Sequence, residues 1–93
     1  MAESERAQRI TRTLTETFQP SSMTLEDESH LHRGHAGATT GKGHFRLRIV
    51  AYAFTGKTAI ARHRMVYSAL AELLESDIHA LSITALSPDE SAR

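Results

Sequence analysis

Cysteine is missing altogether from this chain of 93 residues. That excludes a disulfide framework and any metal site built from the chain's own thiolates. Long apolar runs are missing too: no stretch approaches the ~18–20 residues that a membrane span requires. The first residues carry Glu3 and Glu5 and no apolar segment, so no secretory leader is expected and a cytoplasmic location is. Tryptophan is absent, with only two tyrosines and three phenylalanines. Few rings are therefore available to stack on nucleic-acid bases, Tyr52 and Tyr67 being the main ones. Negative charge is absent from one long stretch. Residues 29–71 hold no Asp or Glu, yet they contain Arg33, Lys42, Arg46, Arg48, Lys57, Arg62 and Arg64. The formal net charge is nonetheless zero, and this segregation points to one basic surface facing an anionic partner.

What the chain does have is histidine. Three of its six histidines, His30, His32 and His35, crowd the segment Ser29-His-Leu-His-Arg-Gly-His-Ala-Gly37. Neutral imidazole is a common nitrogen ligand for transition metals. The segment belongs to a loop over residues 29–43 that carries four glycines, and loops of that length in small domains are commonly functional.

The length allows one domain with one core, over residues 1–93. Ala7, Ile10, Leu14 and Phe18 recur at helical spacing, and Pro20 stops that helix. Residues 21–28 alternate as a short strand, with Met23 and Leu25 on one side. In the next strand Phe45, Leu47 and Ile49 oppose His44, Arg46, Arg48 and Val50. A turn at Phe54-Thr-Gly-Lys57 leads to a helix over residues 58–75, whose apolar face is read as Ile60, His63, Tyr67, Leu70 and Leu74, supplemented by Val66 and Leu73. A third strand follows over residues 79–85, then a polar tail over residues 87–93. The order is α-β-β-α-β. The first two strands should pair antiparallel. The second and third, joined by a helix, should run parallel through a right-handed crossover. Parallel neighbours begin at the same end of the sheet, so His79 should lie near the re-entry point of the histidine loop.

These segments resemble a known family. Asp27-Glu-Ser-His-Leu-His-Arg-Gly-His-Ala-Gly37, His44-Phe-Arg-Leu-Arg-Ile-Val50, Phe54-Thr-Gly-Lys57, Arg62-His-Arg-Met-Val-Tyr67 and Ile78-His-Ala-Leu-Ser-Ile83 together, in this order and spacing, resemble the BolA family over residues 5–88. The resemblance implies an α/β fold similar to the type II K-homology domain, a three-stranded mixed sheet with helices packed on one face. It also implies a monothiol glutaredoxin as partner and a 2Fe–2S cluster shared with it, in iron–sulfur trafficking or iron sensing. The glutaredoxin and a glutathione would supply the thiolates, and this chain would complete the second iron with imidazoles. Histidine in place of cysteine on one iron raises the reduction potential. No cluster is then expected in the isolated chain, which should be a monomer.

By the same resemblance His79 matches the family's C-terminal-side histidine ligand. The loop ligand stays open. Counting forward from Ser29 favours His32, and counting back from His44 favours His35, which Gly34 and Gly37 flank. His30 is read as a polar contact, His63 as a partly buried histidine and His44 as surface. Arg46, Arg48, Lys57, Arg62, His63 and Arg64 are candidate contacts to a glutathione-bearing partner or to DNA. The DNA alternative follows family members described as regulators of cell shape and stress response. The Gly-X-X-Gly clamp of K-homology RNA binders is absent. No enzyme is expected: Asp27, Ser29 and His30 are sequence neighbours that rarely converge on one atom, and a three-histidine zinc hydrolase is the remaining catalytic reading.

Overall fold

The computed structural model describes residues 5–29 and 43–92. Helix α1 (Glu5–Phe18) is followed by strands β1 (Ser22–Asp27) and β2 (Gly43–Val50). After a short 3-10 turn at Tyr52–Phe54 come helices α2 (Ala59–Ala69) and α3 (Ala71–Ser76), strand β3 (Ile78–Leu86) and a last turn of helix, α4 (Pro88–Ser91). The sheet order is β1-β2-β3, with β1–β2 antiparallel and β2–β3 parallel. The expected topology is therefore the observed one.

Each element follows from its pattern. The stripe on α1 buries Ala7, Ile10 and Leu14, and Phe18 packs at the edge of the core. Gln19 ends the helix in the left-handed region (φ 47°), its N–H donating to the Thr15 carbonyl at 2.9 Å. A residue in that conformation at a helix C-terminus closes the last carbonyls, and Pro20 cannot continue. On β2, Phe45, Leu47 and Ile49 are buried under the helices. Each such side chain fully removed from water contributes ~1.5–3 kcal/mol before entropy is counted. Phe54 is fully buried and meets the Phe18 ring at 5.1 Å. The turn after it needs Gly56, whose φ of 76° suits glycine although space around it is open.

Two expectations change. The single helix over 58–75 is two, breaking at Leu70 (φ −101°, ψ 14°). The buried face of α2 also agrees only in part with the one read from apolar spacing, at Val66 and Leu70. It consists of Arg62 and Val66, continued by Leu70, whereas Ile60 is 66% and Tyr67 43% exposed and His63 is exposed. The reason is Arg62, which is only 9% exposed. A buried cation reads as polar in a sequence pattern, so the pattern rotates the helix the wrong way.

Between β2 and β3 the register holds one irregularity. Gly43 pairs with Ile78, but His44 pairs with Ala80. His79 is therefore the extra residue of a β-bulge. Ile78 and Leu81, three apart, both face the core. Regular alternation would have turned His79 to the same side as Leu81 and Ile83. The bulge turns Ile78 in and leaves His79 exposed, which is how bulges re-aim side chains.

Candidate functional site

The bulge sits at the end of the sheet where residues 29–43 rejoin it. Three hydrogen bonds tie that corner. The Glu28 N–H donates to the His44 carbonyl at 2.8 Å, the His44 N–H to Ser29 Oγ at 3.1 Å, and the Gly43 N–H to the Asp77 carbonyl at 2.9 Å. His79 stands beside this corner, as the parallel crossover requires. His30, His32 and His35 lie outside the described residues, so the choice between His32 and His35 falls there too.

One histidine missed as a site residue is His44. It lies on the arginine side of β2, as expected, but it is half-buried rather than simply surface. Its ring stands 5.0 Å from that of His79, centroid to centroid, with the planes at 48°. A shallow depression beside it is lined by Glu28, His44, Phe45, Ala80, Leu81 and Ser82. Strand alternation put His44 on the correct face. Only the bulge brings His79 to it, and no sequence pattern announced the bulge.

The basic residues do not form one surface. Arg46 and Arg48 project from the sheet face opposite the helices, where Arg46 pairs with Glu28 at 3.1 Å and Arg48 approaches Ser91 Oγ at 3.5 Å. Lys57 and Arg64 are exposed around the start of α2. His63 joins Ile60, Arg64 and Tyr67 in an outward stripe, its ring 6.4 Å from that of Tyr67. The reading of His63 as partly buried is therefore corrected.

Arg62 is corrected more sharply, since it presents no charge to a partner. Its Nε donates to the Lys57 carbonyl at 2.9 Å and Nη1 to the Ala85 carbonyl at 2.8 Å. Its guanidinium also grips both carboxylate oxygens of Glu90, at 2.6 and 3.3 Å. Glu90 in turn completes a capping box at the start of α4: Ser87 N–H donates to its carboxylate at 2.8 Å, and its own N–H donates to Ser87 Oγ at 3.2 Å. The Arg62 hydrogen bond, reinforced by the Ser87 backbone, lowers the Glu90 carboxyl from its ordinary value to about 2. The polar tail of the sequence is thus a latch. Its signature, Ser87 with Glu90 three residues on, was legible and went unread as a helix start.

The family model described as BolA-like protein matches residues 14–90. The chain is 42% identical over 90 residues to SufE-like protein 1, chloroplastic/mitochondrial, of Arabidopsis thaliana; the match covers 91% of this chain but 24% of that relative. It is 41% identical over 76 residues to the DNA-binding transcriptional regulator BolA of Escherichia coli, covering 82% of this chain and 70% of that one. Among solved structures, the BolA domain of SufE1 from Arabidopsis thaliana superposes with a TM-score of 0.85 at 43% identity, covering 96% of this chain and 99% of that domain. The extent of the family match, a fold shared at this level and the motifs in their places lead to one conclusion: the chain belongs to the BolA-like protein family.

Proposed function

We propose that this chain is an adaptor that binds a monothiol glutaredoxin and co-ligates a 2Fe–2S cluster with it, in iron–sulfur trafficking or iron sensing. The observation that carries the reading is the bulge, which places an exposed imidazole, His79, where the histidine-rich loop rejoins the sheet. The donor chemistry fits: an accessible nitrogen ligand is present and a thiolate is not, so thiolates would come from the partner. A bound cluster would supply a one-electron couple and an iron able to accept nitrogen ligands. This chain's part is to hold the His79 ring outward through a rigid strand start and to bring His35 or His32 from the loop. Arg46 and Arg48, on the open sheet face, are available to attract the carboxylates of a glutathione-bearing partner.

The test is titration of the chain with a monothiol glutaredoxin, with and without cluster, followed by absorption and circular dichroism. Wild type should form a mixed complex with a histidine-type spectrum, and His79→Ala should lose that signature. An unchanged spectrum in His79→Ala would move both ligands into the loop.

A second reading, DNA binding, is supported by the Escherichia coli relative's name and by the exposed Lys57 and Arg64. Replacing both with Ala should weaken duplex binding and reduce its salt slope by ~1–2, because each phosphate contact contributes ~0.9. Wild type that shows no salt-dependent binding rules this reading out.

A further inference from the structure

Beyond cluster sharing, we infer that His44 and His79 form a two-imidazole chelate for a single divalent transition-metal ion, one that needs neither partner nor loop histidine. The two rings come from adjacent strands, half-buried His44 from the centre of the sheet and exposed His79 from the bulge. Their centroids are 5.0 Å apart. Two imidazoles on one tetrahedral ion, with metal–nitrogen bonds of ~2 Å, place their centroids ~5 Å apart. The observed separation of the rings matches that value. Each imidazole coordinates through one nitrogen and leaves the other for a protein contact.

The backbone argues the same way. The β2–β3 register departs from regularity at one place, between Gly43 and His44, and the departure is what puts His79 beside His44. Without the extra residue His79 would turn toward the helices. Bulges recur where a side chain must be re-aimed. Both rings ride on strands, which hold ligands more tightly than loops do. Among the described residues no third histidine, cysteine or carboxylate joins the pair in ligating position, so water would fill the remaining positions. Nitrogen-only ligation selects Zn²⁺, Ni²⁺ or Cu²⁺ over Mg²⁺ or Ca²⁺.

The test uses the full chain without glutaredoxin, titrated with Zn²⁺ and with Ni²⁺ by calorimetry and by proton–nitrogen NMR of the assigned imidazoles. In the unmutated protein the ring signals of His44 and His79 should shift together, saturating at one ion per chain. A variant with His30, His32 and His35 all replaced by Ala should keep that site. His44→Gln or His79→Gln, each checked for folding by amide spectra, should weaken it by about tenfold or more, since a chelate reduced to one imidazole loses most of its advantage. Calcium should shift neither ring. The inference is overturned if His44 stays unshifted while the loop histidines respond, or if His44→Gln binds as wild type. Neither outcome bears on glutaredoxin binding, which is read separately.

Discussion

Arg62 carries its charge into the protein and finds every partner it needs there: two carbonyls and a carboxylate. Removing the side chain leaves the Ala85 carbonyl unpaired and releases α4. Arg62→Ala should therefore cost about 2–4 kcal/mol, read as a lower urea midpoint. Arg62→Lys should rescue little of it, because an ammonium cannot reproduce the two-pronged grip. Glu90 adds a pH dependence. Its carboxyl falls to about 2 in the folded chain, below the ~4.3 of an unfolded glutamate. A depressed acid stabilises the fold above its unfolded pKa, and that contribution is lost as pH falls through the folded value. The difference in midpoint between wild type and Glu90→Gln should be full near neutrality and shrink as pH is lowered from about 4 toward 2. The sequence could not show this pair. Arg62 sits in a basic run, Glu90 in a polar tail 28 positions on, and nothing between them says that they meet.

At the scale of elements, the legible parts were those with unbroken periodicity. β2 alternates from Gly43 to Ile49, with Val50 buried as well at its end, α1 keeps a clean stripe, and both were placed within a residue or two. The start of α2 was legible, but its end at Leu70 was not, and its core face was only partly read because that face includes a cation. The bulge was invisible because an extra residue leaves no mark until the partner strand is known. Half of the candidate pair, His79, was thus legible through topology and resemblance, whereas His44 was not. The start of β2 carries its own prediction. A Cβ built on Gly43 would lie 2.7 Å from the Phe45 ring and 2.8 Å from Ser29 Oγ. Gly43→Ala should cost about 1–3 kcal/mol. It should also move the amide signals of Ser29 and His44 more than those of Leu47, a pattern that uniform destabilisation would not give.

For the whole molecule, the prediction concerns what one chain can do alone. With no thiolate of its own, it should fail to retain a 2Fe–2S cluster after reconstitution with iron and sulfide. A stable, stoichiometric brown product from the chain by itself would refute the shared-ligand reading. Among the described residues no helix is long and apolar enough to cross a membrane. The face of α2 bearing Ile60 and Tyr67 lies on the far side of the sheet from Arg46 and Arg48. A partner drawn to one face therefore leaves the other open.

The corner at Glu28, Ser29, Gly43 and His44 has one more consequence. Its hydrogen bonds clasp both ends of the intervening segment to the sheet. Doubling the number of residues there would cost only ~0.6 kcal/mol in closure entropy. With Glu28, Ser29, Gly43 and His44 held by the sheet, insertions, deletions or new chain ends between them should leave the domain folding as before, read as an unchanged urea midpoint.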